Sequence, residues 1–292
     1  MGSGLASGRD GLAGRYGDAP LWLLVHELDD ASAEPLRRCL APAARAQGGA
    51  LLSLPAPALL QASAWSLRMD SAGHTRTLLQ LGPHRIEGHR LRAALNRLGP
   101  PRVAGSQPDA AYLQQEWQAI LAFWLASLPC PVLNAAHPTG LSGPLASPSW
   151  WRLQASRAGL PVWPESGPVH AGCAQRRLLV LGPHCLAPAQ ERAAGAPALP
   201  CWTSALPGFA AQLGLAMLEV WLGQDAGGQW KLDRADTRPD LRRLDAPLQS
   251  ALLDCLRMAP DRRGQSLPPA PPLAADAWQQ PPPTLPAQEL HP

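Results

Sequence analysis

Five consecutive large apolar residues, Leu21, Trp22, Leu23, Leu24 and Val25, constrain the fold of this chain more than any other feature. The run has strand length and lacks the alternation of a strand with one wet face. It predicts a strand buried on both sides, as in a parallel sheet. The next residues agree. Asp29, Asp30 and Ser32 offer helix N-caps, Pro35 suits a first helical turn, and Leu36, Leu40, Ala43 and Ala44 form an apolar stripe that stops at Gly48-Gly49. Ala50 to Leu54 then reads as a second strand. A β-α-β opening favours a right-handed parallel crossover, so the fold class is α/β.

Further along, Thr77–Leu81 and Arg85–Glu87 flank Gly82-Pro83-His84 as a hairpin, and Leu91 to Leu98 continues as helix or strand. Asp109 caps the strongest helix of the chain, which runs to Leu128. Leu113, Trp117, Ile120, Leu121, Trp124, Leu125 and Leu128 recur at three- and four-residue spacing along it, predicting one broad buried face. Pro129 and Pro131 end it, and Val132-Leu133 is a short strand. Ser147-Pro148 opens another helix with a bulky face of Trp150, Trp151 and Leu153, closed by Gly159. Pro161 to Gly172 reads as a hinge. Beyond it lie a strand at Arg177–Leu181, a helix around Phe209–Leu213, and a hairpin of Leu218–Leu222 and Gln229–Asp233 over Gly227-Gly228. A last helix spans Pro247–Leu256, capped by Asp245. From Pro268 the chain is Pro-rich and reads as disordered, with Trp278 a possible peptide anchor. These divisions give a flexible lead at 1–19, an α/β domain at 20–135, a second domain at 136–262 and a disordered tail at 263–292.

Composition excludes several functions. Hydrophobic residues at 46% and charged residues at 16% suit a soluble folded chain. A formal charge of +3, with arginines in scattered pairs, argues against a nucleic-acid surface. No apolar run reaches the ~20 residues of a spanning helix, and the lead lacks the apolar core of a signal peptide. Six cysteines without tight spacings read as reduced thiols, which places the protein in the cytoplasm. Membrane and nucleic acid are therefore not expected partners.

Few constellations carry chemistry. His170, Cys173, His184 and Cys185 are of zinc-binding type, but their spacing matches no standard knuckle. His26-Glu27 with Asp29-Asp30 stands at the C-terminal end of the first strand, where open α/β sheets bind ligands. The same acids also suit a helix N-terminus. Gly140-Leu141-Ser142-Gly143 is a loop able to approach a ligand closely. No Gly-x-Gly-x-x-Gly, Walker-type loop or Gly-x-Ser-x-Gly elbow occurs.

The order of segments resembles the ATP-grasp superfamily, in the branch of peptide-directed ligases that glutamylate a ribosomal protein or cyclise microviridin-type peptides. Asn96-Arg97, Tyr112 with Glu116, Pro131–Asn134 and Trp151–Pro161 carry the resemblance in the first half. The stretch from Leu213-Gly214-Leu215 to Asp233 carries it in the second. The resemblance implies an N-terminal pre-ATP-grasp-like sheet module followed by a reduced ATP-grasp-like part. It also implies a cleft between them lined by Arg97, Asn134 and Arg152.

The departures concern phosphate chemistry. Such ligases carry a lysine at the start of the helix that here begins near Pro148, and another on a following strand; this chain has a single lysine, Lys231. Their closing hairpin holds magnesium with an Asp on its first strand and a Glu-x-Asn on its second. Here Trp221 falls where the Asp belongs, with Glu219 two residues before it, and Asp233 and Ala235 take the other two places. The stretch between Pro164 and Gly208 is also too short for the usual nucleotide clamp.

The resemblance thus implies a degenerate ATP-grasp-like protein, a pseudoenzyme without resident cofactor, that binds a peptide or protein partner. The alternative is a compact ATP-dependent carboxylate–amine ligase acting on peptides, with ATP and with magnesium on Glu219 and Asp233. A pure scaffold acting through its Pro-rich tail is a third reading.

Overall fold

The strand expected from the opening run, β1 (Leu21–His26), is fully paired and buried on both faces. The computed structural model describes residues 19–71, 75–82, 84–101, 109–164, 174–192 and 199–258. The expected tail from Pro268 with Trp278, most of the Pro161–Gly172 hinge, and His170 and Cys173 lie outside them. In chain order, β1 is followed by α1 (Ala33–Ala46), β2 (Ala50–Pro55), α2 (Ala56–Leu60), β3 (Ala64–Met69), β4 (Thr75–Leu81), β5 (His84–Glu87), β6 (Leu91–Arg97), α3 (Ala110–Ser127) and β7 (Val132–Leu133). Next come α4 (Pro148–Arg157), β8 (Gln175–Leu181), β9 (His184–Leu186), α5 (Leu206–Gln212), β10 (Met217–Gln224), β11 (Trp230–Asp236) and α6 (Ala246–Met258).

The first sheet is wholly parallel, in the order β2-β1-β6-β7. Leu91–Leu98, left open between helix and strand, is therefore β6, the neighbour of β1. Alternation along β1 sends Leu21, Leu23 and Val25 into a core closed by α3 and by the antiparallel sheet β3-β4-β5. Trp22 and Leu24 enter a second core. That core joins the two halves: Leu36 and Leu40 of α1 and Leu95 of β6 meet Leu179 and Leu181 of β8, Met217 of β10 and Leu248 and Leu252 of α6.

The second sheet is antiparallel, in the order β11-β10-β8-β9. Its other face, with Leu178, Val180, Leu218, Val220 and Leu232, packs on Trp151 of α4 and Phe209 of α5.

Two expectations change. No pattern announced β3, whose Ala64-Trp65-Ser66-Leu67-Arg68-Met69 is only partly buried. The stripe of α3 divides: Leu121, Trp124, Leu125 and Leu128 are buried, whereas Leu113 and Ile120 are exposed. At about 100° per residue, both stand on the flank of the helix, turned from the face that Leu121 and Leu125 define. Leu153 is likewise exposed on α4, although Trp151 is buried.

Candidate functional site

The C-terminal ends of β1, β6 and β7 open on the crevice where a parallel sheet ordinarily binds ligands. Of the sequence-predicted residues Arg97 and Asn134 stand here, whereas Arg152 and Asp233 pair with each other on the second sheet and Glu219 stands apart from them. Asn134, 0% exposed, follows β7 directly. Its Nδ2 donates to Met217 O at 2.7 Å and Thr237 O at 2.8 Å, and its Oδ1 accepts from Ala216 N at 2.9 Å and Met217 N at 2.8 Å. A side-chain amide has two donor hydrogens and two good acceptor positions, and all four are occupied by backbone. Asn96, also fully buried, donates to Asn134 O and Leu141 O, tying β6 to the loop before α4.

Arg97 is buried against Asp30 in a two-pronged ion pair, Nε–Oδ2 at 2.6 Å and Nη2–Oδ1 at 3.1 Å, while Nη1 donates to Pro239 O at 2.9 Å. Asp30 also accepts from Ser32 N, and Ser32 Oγ accepts from Leu241 N. Residues 237–241 thus form a strap from the second sheet, bonded to the first half through Asn134, Arg97 and Ser32. The sequence offered Ser32 as a helix cap and Asn96 as part of the resemblance, and neither as a site residue, because short polar residues beside strands look like ordinary caps and turn formers.

The candidate metal acids are not together. Glu219 lies opposite Leu179 on β8, on the sheet face turned to the second core. Between β10 and β11 the register shifts: Trp221 faces Arg234 and Leu222 faces Leu232, so Asp233 is the extra residue of a bulge. That turns Asp233 onto the opposite face, where Arg152 of α4 takes it, Nη2–Oδ1 at 2.5 Å and Nε–O at 2.9 Å. Glu219 has its own cation, with Arg177 Nη1 at 3.0 Å from Oε1 but poorly aligned, while Oε2 accepts from Asp240 N. Burial pushes the Glu219 carboxyl above its ordinary value against the pull of the Asp240 N–H and Arg177. Where the resemblance would set a metal-binding Asp, Trp221 carries the Arg234 guanidinium over its ring at 4.8 Å. The donor set does not fit a magnesium ion. Among the described residues no three His, Cys, Asp or Glu side chains are grouped to hold any metal ion.

A raised carboxyl favours the folded state when protonated, a contribution lost as pH climbs through the folded value, from about the ordinary 4.5 upward. Glu219→Gln should remove this loss. Its melting temperature should equal or exceed that of the parent at pH 7, with the difference shrinking toward pH 4; thermal scans across that range check it.

A pocket of about 480 Å³ including its mouth sits on the crevice, lined by Gly99, the Gly140–Ala146 loop, Trp151, Asp236 and Arg238. Gly143, with φ 109°, is required by packing. A Cβ there would stand 2.8 Å from both Leu215 and Thr237. Of the zinc-type residues described, His184 stands 3.9 Å from Asp254, and burial raises the Cys185 thiol to about 11.

No protein-family model matches the chain, and no curated protein matches it in sequence. Solved structures do. The macrocyclase MdnB from Microcystis aeruginosa superimposes with a TM-score of 0.58 at 17% identity, over 82% of this chain and 100% of that one. MdnC from the same organism, bound with its precursor peptide MdnA, gives 0.56 at 13% identity over 81% and 99%. A peptide-natural-product-associated ATP-grasp ligase from Chryseobacterium gregarium, in complex with ADP and a leader and core peptide, gives 0.53 at 10% identity over 84% and 98%. The fold of this chain is therefore ATP-grasp-like, a mixed α/β architecture with one parallel and two antiparallel sheets.

Proposed function

We propose, from the ATP-grasp-like fold, that this chain is a degenerate member of that architecture. It binds a peptide or protein partner in a biosynthetic or modification system and does not carry out efficient phosphoryl transfer. The observation that carries this reading is the hairpin: Glu219 and Asp233 stand on opposite sheet faces, each beside an arginine, and Trp221 stacks with Arg234 at the expected metal position. Phosphoryl transfer relies on cations that neutralise the transferred group in one place, and two separated, already paired acids cannot assemble them. Arg97, Asn134 and Arg152 act in this reading by holding the crevice walls in register. A peptide as that partner is supported by the solved neighbours, MdnC with its precursor peptide and the Chryseobacterium gregarium ligase with a leader and core peptide. Five cysteines are free among the described residues and no helix there is long and apolar enough to cross a membrane, in keeping with a cytoplasmic place.

The second reading, a compact peptide ligase, draws on those same neighbours, one of which holds ADP. Nucleotide separates the two. A bound ligand stabilises by RT ln(1 + [L]/Kd), about 2.7 kcal/mol at a hundred times Kd. With millimolar Mg-ATP the melting temperature is expected to stay unchanged. A rise of several degrees, absent with ATP plus chelator, would favour the ligase.

A further inference from the structure

Arginines that lie far apart in the sequence come together in space. Arg38 of α1, Arg176 and Arg177 of β8, and Arg242 and Arg243 beyond the strap line two adjoining hollows, which share the last two residues. The first, about 1400 Å³ including its mouth, lies between β8, Trp221 and residues 188–191. The second, about 820 Å³, lies between α1 and the start of α6. Arg234, held over the Trp221 ring at 4.8 Å, adds a cation beside the first. Three acids line the same hollows, and each is already engaged. Glu191 accepts from Arg177 N at 2.8 Å, Asp240 grips Arg242 through Nε at 2.9 Å and Nη2 at 2.6 Å, and Asp245 accepts from Leu248 N and pairs with Arg192. Five lining arginines against three acids leave a charge of +2, most of the +3 of the whole chain. Arg38 gives its Nε to Glu34, an acid it shares with Arg37. Arg243 is exposed and has no hydrogen-bond or ion-pair partner among the described residues. A guanidinium has five N–H donors in a flat fork, so Arg38, Arg242 and Arg243 all retain unused donors.

We propose that this arginine-lined groove holds an acidic segment of the peptide partner, with its Asp and Glu carboxylates on the forks of Arg38, Arg242 and Arg243. The inference rests on the peptide-binding reading and gives that peptide its chemistry. Charge selects an anion, because like charges gathered along one groove repel each other until a counter-charge lies among them. Arginine forks match a carboxylate edge to edge, with two parallel hydrogen bonds. Size selects a chain segment. Small-molecule sites are about 300–1,000 Å³. The first hollow alone exceeds that range, and it continues into the second across Arg242 and Arg243. A single-stranded nucleic acid would need aromatic platforms for its bases. The aromatic ring lining the groove among the described residues, Trp221, is half-buried beneath Arg234.

Fluorescence anisotropy of fluorescein-labelled hexaglutamate with the full chain tests this, beside labelled hexaglutamine and hexalysine. Hexaglutamate alone should bind, and its affinity should fall on the order of tenfold between about 50 and 300 mM NaCl, since exposed charges are screened. Arg243→Glu and Arg38→Glu should each weaken it about tenfold, because a reversed charge removes a partner and repels as well. Arg68→Glu, at an exposed site on β3, changes the net charge equally and should leave binding unchanged. All three positions are exposed, so the fold should persist in each variant, which circular dichroism confirms. Absent binding of hexaglutamate, equal binding of hexaglutamine, or an equal loss in Arg68→Glu overturns the inference. Tighter binding of a labelled oligo-thymidine does so too, by making the groove a nucleic-acid site. Selection from a random peptide library separates the inference from the reading beneath it. Enriched peptides should be acidic. Enrichment of peptides without acids overturns the inference alone, whereas no enrichment at all overturns peptide binding with it.

Discussion

Replacing Asn134 by Ala is expected to be the most damaging single change in the chain. The substitution strands two N–H groups, of Ala216 and Met217, and two carbonyls, of Met217 and Thr237, at a site closed to water. Each buried group left without a partner costs about 1–3 kcal/mol, so the loss is on the order of 5 kcal/mol, comparable with the whole stability of many domains. Urea titration should show the midpoint falling steeply or the protein failing to fold. Asn134→Asp discriminates further. It keeps the acceptor but forfeits both donors and introduces a buried charge, so it should rescue little. If Asn134→Ala melted like the parent and lost only peptide binding, the residue would be a ligand contact and not a clamp.

Arg97→Ala should follow closely, at about 3–5 kcal/mol, because breaking a buried ion pair leaves one charge uncompensated. The stranded groups are the Asp30 carboxylate and Pro239 O. Burial alone pushes the Asp30 carboxyl up. The Arg97 hydrogen bonds and charge, with the Ser32 N–H and His26, outweigh it and hold the group below its ordinary 3.8. A depressed carboxyl stabilises the fold above its unfolded value, and that stability is lost as pH falls through the folded value. The deficit of Arg97→Ala should therefore be full at pH 7 and narrow below about pH 4, as melting temperatures across that range would show. Arg97→Lys should recover only part, since an ammonium cannot grip both carboxylate oxygens and Pro239 O together. A double change, Arg97→Met with Asp30→Leu, should restore much of the loss by removing both charges. An unchanged deficit in that double variant would mean that the strap bond to Pro239, and not the ion pair, carries the stability.

Much of the architecture was legible because it is periodic. The unbroken run in β1 announced a strand wet on neither side, and burial of Leu21 through Val25 answers it. Turn glycines marked the hairpins, and Gly82 and Gly228 do adopt positive φ. β3 escaped because a half-exposed strand holding Arg68 shows neither alternation nor a continuous run. The fate of α3 escaped for a different reason: an apolar helix has two candidate inner faces, and only its seat on the first sheet selects one. The exposed side was thus read as core.

The candidate site divides in the same manner. Arg97, Asn134, Arg152, Glu219 and Asp233 were named because they stand at the places where the resemblance sets cleft and metal residues. Their partners were not visible. Arg152 meets Asp233 from 81 residues away, Arg97 reaches Pro239 across 142, and Ser32 receives Leu241 across 209. Side-chain period along one segment says which face a residue takes, but not which distant segment will lie against it. A single extra residue in β11 then reversed the face of Asp233 and parted it from Glu219. Sequence alone determined most of the elements, since these depend on neighbours a few residues apart. The closing of the charges on one another was decided by tertiary packing, because Coulomb and hydrogen-bond energies act over a few ångströms of space, whatever their separation along the chain.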